Sequence, residues 1–168
     1  MRNRTVIASV VLALLIPGAS MAEKPLVTQH ALTPKLALEL AQASMVNCRA
    51  SGFQVAVAVV DRMGGTQVML RDRYAGPHTP DTAERKAWTA VSFRTDTLSL
   101  AKNTQTGSAQ SGARMITNAL MIGGGVPIEV SGSIVGGAGV SGAPSGDHDD
   151  QCARAGIKAV IETLELGG

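Results

Sequence analysis

The chain has 168 residues, room for one domain of ordinary size. Its 45% hydrophobic and 17% charged content excludes a polar disordered chain, and 2% aromatics argues against a single-strand nucleic-acid binder, which needs stacking platforms. The formal charge of +2 comes from Arg2 and Arg4; without them 13 basic residues balance 13 acidic ones, so no basic footprint for nucleic acid remains.

Residues 1–22 read as an export signal. Arg2 and Arg4 form a basic start, Thr5 to Ile16 an apolar run too short for a bilayer, and Ser20-Met21-Ala22 a small-residue cleavage site. This predicts a periplasmic or secreted protein whose domain covers residues 23–168, with no membrane span once the signal is removed. In an oxidising compartment Cys48 and Cys152 either pair or stay as two buried thiols; the sequence leaves both open.

Thr33-Pro34 is a cap followed by proline and opens a helix running to Ala50. Phe53 to Val60 suits a strand buried on both faces. Asp61 to Gly65 is a turn, and Thr66 to Arg71 alternates as the returning strand. Tyr74-Ala-Gly-Pro-His-Thr-Pro80 is a stiff loop, in which Thr79-Pro80 repeats the cap-plus-proline pattern. The helix it opens reaches about Phe93 and carries a small-residue stripe, Ala83, Ala87 and Ala90. A short helix at Thr97 to Lys102 and a polar loop follow, and Met115 to Ile122 is ambiguous between a helical turn and a strand. Residues 123–146 hold 9 glycines in 24 positions and form a hairpin turning at Ser131-Gly132. Glycine weakens a strand, so close approach of another backbone or of a flat ligand must compensate. The final helix has a one-sided stripe at Ala153, Gly156, Ile157, Val160 and Leu164. The order of elements gives an α+β domain, an antiparallel sheet with helices packed on it.

Several motifs fail for lack of context. Gly137-Ala-Gly-Val-Ser-Gly142 has no βαβ unit after it, and Gly139-Val-Ser-Gly-Ala143 lacks a downstream acid and histidine in order. His30, His78 and His148 are never paired at helical spacing. Asp81 and Glu84 share a helix face and either favour the helix dipole or share a hard cation.

The segment His78-Thr-Pro-Asp-Thr-Ala-Glu-Arg-Lys-Ala-Trp-Thr-Ala-Val-Ser-Phe-Arg94, with Gly124-Gly-Val-Pro-Ile128 and Gly132-Ser-Ile-Val-Gly-Gly-Ala-Gly-Val-Ser-Gly142, resembles the GlcG/HbpS-like haem-binding family, found also as the C-terminal domain of PduO. The resemblance covers about Leu32 to Leu166. It implies a profilin-like α+β fold, symmetric homo-oligomers, haem binding with haem degradation in some members, and in secreted members a role in haem and iron handling or redox sensing. It also implies iron binding through a D/E-x-x-E motif, which Asp81-Thr-Ala-Glu84 fits. On that footing the porphyrin is expected against the glycine-lined strand at Gly137 and Gly139. His78 is the first candidate axial ligand and Tyr74 the second. Arg85 and Lys86 are candidates for the propionates, or else for a solvated helix face. His78, Asp81 and Glu84 are the candidate iron ligands. The competing reading is a module binding another small organic molecule without iron chemistry. No catalytic set is evident, so any degradation of haem is expected to rest on bound iron and an external reductant or peroxide.

Overall fold

The apolar run of the first hairpin lies at the centre of the molecule. Strand β1 (Ala56–Asp61) pairs on one side with β2 (Thr66–Arg71) and on the other with β4 (Ser133–Ser141), which pairs in turn with β3 (Gly125–Val130). All pairings are antiparallel and the sheet order is β2-β1-β4-β3. The computed structural model describes residues 25–166, so the export-signal reading of residues 1–22 lies outside the described residues.

Both faces of this sheet are covered. Helices α1 (Pro34–Ala50) and α4 (Gly146–Leu166) lie on one face, where Val55, Val57 and Val59 join Leu40, Ala41, Ile128, Val140 and Val160 in the main core. Helix α2 (Thr79–Phe93) covers the other face, against Ala56, Ala58 and Val60. The alternation of β1 between two cores explains why its sequence is an unbroken apolar run. Each fully buried valine contributes roughly 1.5–3 kcal/mol.

Cys48 and Cys152 form a disulfide between α1 and α4, with Cα atoms 5.5 Å apart and a separation of 104 residues in sequence. This settles the choice left open by the sequence. One turn away on each helix, Gly156 meets Ser44: a Cβ at Gly156 would stand 1.9 Å from the Ser44 Oγ and 2.7 Å from the Leu40 carbonyl. The glycine and the disulfide thus both require, and both permit, a close helix crossing.

Three local expectations are refined. Thr33 caps α1 as expected, accepting from the Leu36 N–H at 3.3 Å. Thr79 does not cap α2. The loop closes one residue earlier, with the Thr79 N–H on the Gly76 carbonyl at 3.0 Å, so Thr79 is already helical and His78 takes the cap position without a side-chain bond. Helix α3 (Thr97–Asn103) is capped by Asp96. Residues 104–124 contain one 3-10 turn (Ser111–Met115); of the 115–122 segment, ambiguous between a helical turn and a strand, only Met115 belongs to that turn and none is strand. It is fastened to α2, where the Thr89 Oγ accepts from Leu120 N–H at 2.9 Å and Arg85 donates to the carbonyls of Asn118 and Ala119. Among the described residues no helix is long and apolar enough to cross a membrane.

Candidate functional site

The glycines of β4 face the protein itself. A Cβ on Gly139 would lie 2.0 Å from the Ala83 carbonyl, and one on Gly137 would lie 2.6 Å from Val91 Cγ2 and 2.9 Å from the Ala87 carbonyl. The bare strand and the alanine stripe of α2 are two halves of one contact, in which helix backbone rests on sheet backbone. This corrects the expectation of a porphyrin lying against Gly137 and Gly139. Of the two readings of those glycines, close approach of another backbone is the one the fold uses.

Lys86 is also corrected. It points inward from α2, is 1% exposed, and its ammonium donates to the Asp149 carboxylate at 2.8 Å and to the Val140 carbonyl at 3.0 Å. Asp149, at the start of α4, also accepts from the Ala143 N–H at 2.9 Å. Burial pushes the Lys86 ammonium below its usual range and the Asp149 carboxyl above its own, against their mutual attraction. Lys86 therefore reaches neither a propionate nor solvent. It ties α2, β4 and α4 together. The role of Asp149 depends on a partner 63 positions away in sequence.

The remaining candidates lie at the N-terminal end of α2 and in the loop before it. Tyr74 is 77% exposed, with the Arg73 guanidinium 5.8 Å from its ring centre. His78 is exposed, and its ring folds over Gly76, where a Cβ would stand 2.7 Å from the imidazole. A side chain at position 76 would push the imidazole out of this place. Asp81 faces Arg85 at 3.8 Å. Glu84 accepts from the Thr66 hydroxyl on β2 at 2.6 Å, a partner not foreseen from sequence. His78, Asp81 and Glu84 do not converge: among the described residues no three His, Cys, Asp or Glu side chains gather as a metal set. Their carboxylates turn instead to Arg85 and Thr66. Arg85 keeps two of its five N–H groups beyond the contacts to Asp81, Asn118 and Ala119.

A family model described as "Haem degrading protein HbpS-like" matches residues 32–158. The chain belongs to the HbpS-like family. Its similarity extends to a double mutant of Streptomyces reticuli HbpS, in which two glutamates three positions apart are changed to aspartate. That structure is 39% identical, with 92% of this chain and 99% of that one covered at a TM-score of 0.76. A PduOC:heme complex is 30% identical, with 77% and 94% covered at a TM-score of 0.71. The corrinoid adenosyltransferase PduO of Citrobacter freundii is 31% identical over 124 residues, which are 73% of this chain but 37% of that protein. The HbpS-like domain thus corresponds to a minor part of that enzyme's length.

Proposed function

We propose that this is an exported haem-binding protein of haem and iron handling or redox sensing. The observation that carries the reading is the family membership, together with a relative solved as a heme complex. The chemistry of the donor set fits the group. An imidazole and a phenol stand exposed on a stiff loop, a guanidinium retains free donors, and a carboxylate pair lies on the adjacent helix face. The site moves, however, from the sheet to the surface around the start of α2. The 115–122 segment, whose Asn118 and Ala119 carbonyls Arg85 holds, exposes Met115, Ile116 and Ile122, and in this reading the porphyrin plane rests on apolar side chains of that segment. A single chain leaves one face of such a ligand open, and a second copy closing over it would complete the cover; homo-oligomerisation is part of the proposal.

In this reading His78 is the first candidate for the axial position and Tyr74 the second, and Arg85 meets a propionate. Asp81 and Glu84, which in this structure face Arg85 and Thr66, would exchange those partners to hold free iron at a separate site; two glutamates at the same spacing are the positions altered in the Streptomyces relative. Bound haem would supply iron redox chemistry; its degradation would draw on an external reductant or peroxide.

Haem titration of the mature protein tests the reading. A saturable Soret shift is expected, and its absence ends the haem assignment. His78→Ala should weaken binding and change the Soret position; an identical spectrum passes the axial role to Tyr74. Asp81→Asn with Glu84→Gln should abolish ferrous-iron binding and leave the haem titration intact.

A further inference from the structure

The opposite end of α2 carries a second feature. A cleft of ≈ 360 Å³ opens between the β1–β2 turn, the end of α2 and the β3–β4 turn, lined by Arg62, Arg94, Glu129, Gly132 and Ser133 among others. It lies about 22 Å along α2 from His78, by the helix rise over Thr79–Phe93.

The arginines of the described residues sort into two groups. Arg49 and Arg154 meet carboxylates, Arg85 meets Asp81 and two carbonyls, and Arg71 and Arg114 donate to carbonyls. Arg73 lies against Tyr74. The guanidiniums of Arg62 and Arg94 show no hydrogen bond or ion pair among the described residues, and both side chains line this cleft. The acid next to Arg62 makes no ion pair with it: the Asp61 carboxylate accepts instead from the backbone N–H groups of Met63 at 2.8 Å and Gly65 at 2.9 Å. Those bonds also fix the turn from which Arg62 projects. Arg94 occupies the left-handed cap position of α2, at φ 52°, which glycine normally fills. A long cationic side chain is thus held where a cheaper residue would end the helix better. Across the cleft the β3–β4 turn contributes Gly132 and Ser133 to the lining. Glu129 is the one carboxylate in the lining, so two guanidiniums outweigh it.

We propose that this cleft binds a small oxyanion, a phosphate or phosphate monoester, held by the forks of Arg62 and Arg94 and by Ser133. Planar guanidiniums match phosphate oxygens two at a time. The space exceeds a bare ion and leaves room for an organic substituent.

The test is titration of the mature protein with inorganic phosphate and with glycerol phosphate at low salt, followed by amide NMR against a chloride control of equal ionic strength. Saturable shifts are expected at residues 62–64, Arg94, Gly132 and Ser133. Arg62→Gln should weaken binding about tenfold or more, the loss of a charge-assisted partner. Arg94→Gly should weaken it similarly while keeping or raising the melting temperature, because glycine relieves the left-handed position. Should the arginines serve only the C-terminal dipole of α2, Arg94→Gly would melt lower and titrate like the parent. That result overturns the proposal, as do shifts that never saturate or that scatter over the surface. Tighter binding of glycerol phosphate than of inorganic phosphate would assign the physiological ligand to the monoester class. Haem titration of Arg62→Gln should match the parent, so this site and the haem site fail or stand separately.

Discussion

Lys86 and Asp149 form a buried charge pair whose desolvation opposes its attraction. Removing one partner strands the other. Lys86→Met should cost about 3–5 kcal/mol at neutral pH, read by urea denaturation. The pH dependence has a definite sign. Burial already raises the Asp149 carboxyl, and loss of Lys86 raises it further. A raised carboxyl contributes stability below its unfolded value and loses it as pH rises through its folded value. The deficit of Lys86→Met should therefore shrink as pH is lowered from 7 towards 4. A deficit independent of pH would mean that Asp149 is not the stranded group.

The glycines divide at the same scale. Gly139→Ala drives a methyl group into the Ala83 carbonyl and should cost about 3 kcal/mol. Gly112 has open space and an ordinary backbone, so Gly112→Ala should be neutral or stabilise by a few tenths of a kcal/mol or more, up to about 1. Thermal melts of the two variants check both. In sequence these glycines look alike. What separates them is the element lying over each, and that is set by pairings far away in the chain.

At the scale of elements, the α1–α4 clamp is the part most open to chemical test. Its disulfide closes a long loop in the unfolded chain, and its loss should cost about 2–5 kcal/mol. A lower urea midpoint in dithiothreitol, reproduced by Cys48→Ala with Cys152→Ala, is the expected result. Much at this scale was legible. The buried run at Phe53 to Val60, the alternation at Thr66 to Arg71, the Ser131-Gly132 turn and the stripe of α4 each carry a local period that tertiary packing respects. The segment at 115–122 was not legible, because side chains of α2 hold it through its backbone N–H and carbonyl groups, leaving no periodic pattern. The α2 cap lies one residue earlier than the sequence suggests because the Thr79 N–H and hydroxyl both turn back to the Gly76 carbonyl.

For the whole molecule, the glycine and alanine stripes were visible separately, and the inference that glycine bought close approach was sound. That the approaching group is α2 follows only from the topology, in which β4 is central and its face is covered. The motifs thus identified the family through residues that build the scaffold. The side chains nominated as a binding site fall on an exposed loop and helix end, apart from the expected strand.

Helix-on-strand backbone contact has a consequence at the margin of α2. The helix sits low enough for Trp88 to reach the β1–β2 turn, where the ring covers Gly64 so closely that a Cβ would stand 2.6 Å from it. Trp88 is the sole tryptophan of the chain. Its intrinsic fluorescence therefore reports on one joint, the seating of α2 against the turn that carries Arg62, and any loosening there should redden the emission before the helices on the far face have moved.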